Sequence, residues 1–92
     1  MNKAQLVEKV AEKAQITKVL SEQILDVAMD VIQGVVAGGE DVKLVGFGTF
    51  MTTRRKARNG RNPKTGHAVA IPESIVPRFK PGKEFRTKVS EL

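Results

Sequence analysis

The sequence predicts an α+β fold: a helical base of two N-terminal helices and a short C-terminal helix, with a three-stranded antiparallel sheet extended into a long β-ribbon arm. Three observations predict it. Apolar side chains recur at helical spacing through the first part of the chain. Runs of Val, Ile, Thr and Phe then replace that spacing with strand-like stretches. Between two such stretches lies Arg54 to Gly66, reading Arg-Arg-Lys-Ala-Arg-Asn-Gly-Arg-Asn-Pro-Lys-Thr-Gly, with six basic residues and no acidic one. Only Ala57 and Pro63 in it have side chains without a polar group, so it has almost nothing to bury. A charge run of this kind is ordinarily a solvated loop. Held between strands it becomes a hairpin or an extended arm, and its charge suggests a polyanion as target.

The first helix starts at once. Asn2 is suited to cap it, and Leu6, Val7, Val10, Ala11 and Ala14 share one face opposite Glu8, Lys9, Glu12 and Lys13. Gln15-Ile16-Thr17 reads as a tight connection in which Thr17 caps a second helix running from about Lys18 to about Ala37 and stopping at Gly38-Gly39. Advancing about 100° per residue from Leu20, the positions Leu20, Ile24, Leu25, Val27, Ala28, Met29, Val31, Ile32, Val35 and Val36 spread over roughly 200° of its circumference. A surface helix needs a stripe a little over ~100° wide. Glu22, Asp26, Asp30 and Gln33 fill the remaining arc. So wide an apolar face implies two neighbours, the helix's own domain and a partner, most simply a second copy of the chain. The alternative is that the first helix and the sheet cover the whole arc. Gly34 costs about 1 kcal/mol relative to Ala inside this helix and leaves room for another element.

Glu40-Asp41 open a turn, and Val42, Leu44 and Phe47 lead into the sheet. Gly46-Phe47-Gly48 has the pattern of a bend that re-aims a buried side chain, and Phe47 and Phe50 are expected in the core. Val69, Ile71, Ile75, Val76 and Phe79 follow the basic stretch, interrupted by Pro72 and Pro77, which confine that strand to an edge or to broken pairing. Lys80-Pro81-Gly82 opens the last helix, with Phe85 and Val89 facing inward and Lys83, Arg86 and Lys88 outward.

The chain of 92 residues makes one domain, with residues 1–52 and 76–92 as body and 53–75 as arm. The body is small enough that a single core is marginal without a staple. With no cysteine there is no disulfide, and oligomerisation remains. Residues 1–41 hold four basic and seven acidic groups (−3), residues 42–72 seven and none (+7), and residues 73–92 five and three (+2). That asymmetry points to nucleic acid or an anionic surface. No apolar run has the length of a membrane span and no signal-peptide pattern opens the chain, so a cytoplasmic location without membrane partners is expected.

No catalytic chemistry is visible. The single histidine, His67, lies in the polar ribbon without Cys, Asp or Glu around it, so neither a metal site nor a triad is expected there. Pairs such as Glu8/Glu12 and Asp26/Asp30 are solvated helix faces. Gly46-Phe47-Gly48 precedes no helix and is not a nucleotide loop. The reading is a non-enzyme with no catalytic residue, no cofactor and no metal.

The arm carries the positive signal. Strands of ~10 residues would give it a reach of roughly 30 Å. Arg54, Arg55, Arg58 and Arg61 outnumber Lys56 and Lys64, and guanidinium suits bidentate phosphate contact and insertion into a narrow minor groove. Asn62-Pro63 before Lys64-Thr65-Gly66 makes a rigid tip, in which proline is a turn-former or something more.

Val45-Gly46-Phe47-Gly48-Thr49-Phe50, Ala57-Arg58-Asn59-Gly60-Arg61-Asn62-Pro63-Lys64-Thr65-Gly66, Ile71-Pro72, Val76-Pro77, Phe79-Lys80 and Pro81-Gly82-Lys83 together resemble the bacterial HU/IHF family of histone-like nucleoid proteins, HU most closely. The resemblance runs from Met1-Asn2-Lys3 to the last helix. HU and IHF are themselves among the minor-groove binders from which the general behaviour of architectural proteins is drawn. The resemblance implies an intertwined dimer, identical chains or a pair of paralogues, whose ribbons embrace double-stranded DNA in the nucleoid, bending and condensing it with little sequence preference. Bent or distorted DNA would be favoured. It makes Pro63 the wedge that unstacks a base step, with Arg61, Asn62 and Lys64 beside it. Arg54, Arg55, Lys56 and Arg58 would follow the groove, and Lys3, Lys80, Lys83 and Arg86 would meet flanking phosphates. Leu20, Ile24, Val27, Val31, Leu44, Phe47, Phe50 and Phe79 would form the core and the dimer interface. Thr53 stands where many members carry a basic residue, and strand alternation puts Arg54 and Arg55 on opposite faces, leaving open which contacts DNA. The competing readings are an IHF-like site-specific bender, an RNA-binding basic protein, and a charge run serving localisation or a membrane surface.

Overall fold

The computed structural model describes residues 1–91, and its two long helices start and stop at identifiable caps. In α1 (Lys3–Ala14) the Asn2 side chain accepts from the Gln5 amide at 2.9 Å while the Asn2 amide donates to Gln5 Oε1 at 2.9 Å. Two orphan donors are thereby satisfied reciprocally. The helix ends on Gln15, which takes the left-handed conformation (φ 56°) usually left to glycine. Thr17 Oγ1 accepts from the Leu20 amide at 3.1 Å and starts α2 (Lys18–Ala37). At its far end the Glu40 amide reaches the Val35 carbonyl and the Gly39 amide the Val36 carbonyl, with Gly39 at φ 92°. That is the Schellman closure the Gly-Gly pair predicts.

The chain forms two compact units, Met1–Gly34 and from Val35 onward. In the first, α1 meets α2 through Val7 and Ala11 and through Ser21, which is completely buried and donates from Oγ to the Val7 carbonyl at 2.8 Å. Ser21 lies about 100° around α2 from Leu20, within the apolar arc, where its hydroxyl is accommodated only because it has an acceptor.

The second unit holds β1 (Val42–Leu44), β2 (Gly48–Arg55), β3 (Arg58–Arg61), β4 (Ala68–Ile71), β5 (Ser74–Pro81) and α3 (Lys83–Ser90). β1, β2 and β5 form an antiparallel sheet in that order, and β3 and β4 form a separate two-stranded ribbon. The proline-bearing β5 is therefore an edge strand, as expected. Phe50 pairs with Phe79 across β2 and β5, their ring centroids 4.8 Å apart. Phe47 lies 5.2 Å from Phe79 and 5.5 Å from Phe85 of α3. Gly48 lies within this cluster because a Cβ there would meet Phe79 Cζ at 2.5 Å and the Lys80 carbonyl oxygen at 2.7 Å.

Burial is where the single chain departs from expectation. Phe47, expected in the core, is 45% exposed, and Val89, expected to face inward, is 55% exposed. Leu44 is exposed as well, while Phe50 and Phe79 are only half-buried. On α2 the apolar arc divides in two. Leu25, Ile32, Val35 and Val36 are covered wholly or in part, whereas Leu20, Ile24, Val27 and Val31 remain 43–56% exposed. Among the described residues only Val7, Ala11 and Val36 are buried apolar side chains. One chain leaves much of the wide apolar face of α2 open to solvent, because a chain this small has too few side chains to cover it.

Candidate nucleic-acid interface

The arm is built from two ladders in series. The β2–β5 pairing ends at Arg55 opposite Ser74, and the β3–β4 pairing begins at Arg58 opposite Ile71. Lys56-Ala57 and Pro72-Glu73 lie between the ladders, outside both strands. Pro72 accounts for the break, since it has no amide to donate across the gap.

At the tip the chain reverses through a small hydrogen-bonded loop. Asn62 donates from its amide to the His67 carbonyl at 2.9 Å and accepts the Gly66 amide on its own carbonyl at 2.7 Å. Its side chain accepts from the Lys64 amide at 2.9 Å. Gly66 supplies the positive φ of 72° that closes the turn. His67 donates its amide to Thr65 Oγ1 at 3.3 Å. Pro63 sits at the head of this loop, exposed, with its fixed φ stiffening the turn and its ring directed to no neighbour that would bury it. The turn explains why a proline is tolerated there, and its exposure leaves the ring available to a partner.

Residues directly opposed in an antiparallel pair share a face of the sheet, and faces alternate along each strand. In the ribbon, Arg58 and Gly60 share one face with Ile71 and Val69, and Asn59 and Arg61 share the other with Ala70 and Ala68. In the body, Gly48, Phe50, Thr52 and Arg54 lie on the face of Pro81, Phe79, Pro77 and Ile75. The opposite face carries Thr49, Met51, Thr53 and Arg55 with Lys80, Arg78, Val76 and Ser74, joined from β1 by Lys43 opposite Thr49. Lys43, Arg55, Arg78 and Lys80 thus form a basic face of the sheet with no acidic residue on it. Lys43 and Arg78 are the members that the sequence motifs do not single out. Counting back by twos from Arg55 and across the register would have found them.

The remaining predicted contacts are distributed as follows. Lys56 is exposed in the joint, and Lys64 is exposed at the tip. Lys83 and Arg86 lie one turn apart on α3, both exposed. Lys3 belongs to the first unit and is engaged by Asp26 at 2.6 Å. That hydrogen bond, and the carboxylate charge with it, hold the Lys3 ammonium above its ordinary pKa of 10.5. Arg54 is engaged by Glu73, Nη1 to Oε1 2.9 Å. Among the described residues no group of His, Cys, Asp or Glu is arranged to hold a metal ion, and no helix is long and apolar enough to cross a membrane.

Comparison with known proteins gives a consistent result. Residues 1–90 match the family described as bacterial DNA-binding protein. The chain is 50% identical to the DNA-binding protein HU of a Nostoc species over 98% of this chain and 96% of that one. It is 47% identical to the HU of Clostridium pasteurianum, over 99% and 100% respectively. Among solved structures, an Anabaena HU–DNA cocrystal structure superposes with a TM-score of 0.95 at 49% identity, covering the whole of both chains. HU from Thermotoga maritima superposes at 0.70 with 35% identity, over 97% of this chain and 98% of that one.

Proposed function

The chain belongs to the bacterial DNA-binding protein family of HU, and from that premise we propose that it is an architectural protein that binds double-stranded DNA with little sequence preference and bends or compacts it. The observation that carries the reading is the arm itself: a ribbon with arginines on both faces, closed by the Asn62–Gly66 turn with Pro63 exposed at its head. Phosphates attract such a ribbon wherever they occur along a duplex, and phosphate contacts carry no sequence information. Pro63 is the wedge, with Arg61, Asn62 and Lys64 beside it. Arg55 and Arg58 follow the groove, and Lys80, Lys83 and Arg86 hold flanking phosphates.

The functional unit is a dimer of this chain. Its support is the strip of Leu20, Ile24, Val27 and Val31 on α2, with Leu44 and Phe47 in the second unit, all apolar and all 40–56% exposed in one chain. A dimer presents two arms to one duplex, which is what embracing DNA requires, and its place is the bacterial nucleoid in the cytoplasm. The chain's job is binding and deformation, with no catalytic step.

The test compares affinity for straight, nicked and gapped duplexes of random sequence across a salt series. Affinity should fall steeply with salt as counterions are released, and should be higher for nicked and gapped DNA, where deformation is easier. Equal affinity for straight and distorted duplexes would remove bending from the function.

A further inference from the structure

Glu73 is the only acidic residue between Asp41 and Glu84, and it lies at the most consequential point of the arm, the unpaired joint between the two ladders. Its carboxylate holds Arg54 at 2.9 Å. The register explains the geometry: Arg54 is opposite Ile75, on the face that Phe50 and Phe79 occupy in the body, and Glu73 lies two residues before Ile75 in the joint, within reach of the Arg54 guanidinium. Arg55 lies on the other face, with Lys43, Arg78 and Lys80. The two adjacent arginines therefore differ twice over. Arg55 continues a face whose only charged groups are cations, while Arg54 continues the aromatic face and has its charge matched.

We propose that Glu73 is a positioning residue of the arm: it holds Arg54 on the face opposite Arg55, withdraws it from the phosphate-contacting set, and ties the joint between the ladders. The inference rests on the DNA-binding reading for its phosphate half, but the tie across the joint stands without DNA. Arg54 and Glu73 are both largely exposed, 68% and 49%, so the pair is worth a shift of at most about fivefold in a local equilibrium. That is too little to rigidify the arm and enough to bias one side chain between two positions.

The experiment measures binding of the full chain to a nicked random-sequence duplex over a salt series, for wild type, Arg55→Gln, Arg54→Gln, Glu73→Gln and the Arg54→Gln/Glu73→Gln double variant. Arg55→Gln should reduce the slope of log K against log salt by about 0.9 per chain. Arg54→Gln should leave the wild-type slope unchanged, yet lower it when introduced beside Glu73→Gln, where the guanidinium has been released. An Arg54→Gln loss of slope equal on both backgrounds, or equal to that of Arg55→Gln, would overturn the withdrawal of Arg54. In the absence of DNA, hydrogen exchange at the ladder-end amides of Arg55, Arg58 and Ser74 should quicken by up to about fivefold in either single variant. The charge swap Arg54→Glu with Glu73→Arg should restore it. Exchange indifferent to both single variants would overturn the tie. Wild-type protein with no salt-dependent duplex affinity would refute the DNA-binding reading instead, with the exchange measurement still deciding the joint.

Discussion

Val27→Glu tests whether the uncovered strip of α2 is an interface between two copies of the chain. Val27 is 56% exposed in one chain, so a partner that covers it removes about half of its surface from water. Complete burial of such a side chain is worth ~1.5–3 kcal/mol, so half of it contributes about 1 kcal/mol. Replacing it with a carboxylate loses that contribution and adds the penalty of placing a polar group in an apolar contact without a partner, ~1–3 kcal/mol on the mutational scale. The sum is about 2–4 kcal/mol per chain. In a two-fold dimer the substitution occurs on both sides of the same interface, so the loss is about 4–8 kcal/mol and the dissociation constant should rise by a factor of about a thousand or more. Sedimentation equilibrium at micromolar concentration should show the wild type as a dimer and Val27→Glu as a monomer or an unfolded chain. Val19→Glu is the matched control. Val19 is more exposed still, at 79%, but lies outside the apolar arc, about 100° from Leu20 on its polar side. It should leave the dimer intact. A Val27→Glu protein that remains dimeric at the same concentration would refute the assignment of the strip, and a Val19→Glu protein that dissociates would show that the interface lies on a different face.

Four further outcomes follow from individual contacts. Pro63→Ala should reduce the bend measured by energy transfer across a labelled duplex more than it reduces affinity for nicked DNA; an unchanged bend would leave Pro63 as a turn-former only. Ser21→Ala removes the donor to the Val7 carbonyl and should lower stability by about 1 kcal/mol in denaturant titration, with Ser21→Val lower still because the site is fully enclosed. Gly48→Ala drives a Cβ toward a backbone carbonyl and should destabilise by about 1–3 kcal/mol, while Gly60→Ala meets chiefly Ile71 Cδ1, the free end of an exposed side chain, and should change the melting temperature far less. The Lys3–Asp26 pair raises the folded-state pKa of Lys3 above 10.5, so its stabilising contribution is fully present below that pH and fades as pH rises through the folded value. Wild type should therefore melt above Asp26→Asn at neutral pH, with the gap closing in strongly alkaline buffer; a gap that persists there would assign it to something other than the ion pair.

Both long helices were legible because their ends are written in local chemistry. Thr17 and Gly38-Gly39 bracket α2 at the residues observed. The left-handed Gln15 was not visible, since glutamine is not a usual left-handed residue, whereas Gln5 stands three residues after Asn2, the spacing of a reciprocal cap, and that signal was there to be read. Ser21 was hidden for a different reason: a serine in an apolar arc looks like a gap, and only the position of the Val7 carbonyl turns it into a pin between helices. The basic arm and its tip could be read directly, because so polar a segment held between strands has almost nothing to bury and reads as a hairpin or an extended arm. The faces of the arm could not. Alternation separates Arg54 from Arg55, but naming the face of each requires the register, set here by Phe50 opposite Phe79. The same register is what brings Lys43 and Arg78, unremarkable in the sequence, into line with Arg55 and Lys80.

That register also explains why the basic character of the second unit is not confined to the arm. An antiparallel sheet normally packs one face and leaves the other to water. Here the packed face carries Phe50 and Phe79 under Phe47 and Phe85, and a water-facing surface would ordinarily mix its charges. Instead the open face holds Lys43, Arg55, Arg78 and Lys80 without one carboxylate, so the attraction for phosphate starts on the body and runs into the ribbon. A single two-stranded ribbon is marginally stable in water, and this one is further interrupted at Lys56-Ala57 and Pro72-Glu73. It is therefore anchored at its base and compliant beyond it. A partner that supplied only a flat anionic surface would be satisfied by the body alone. An arm with a hydrogen-bonded Asn62–Gly66 tip and an unpaired joint suits a partner it must reach around, and under the proposed function a duplex between two such arms would be that partner.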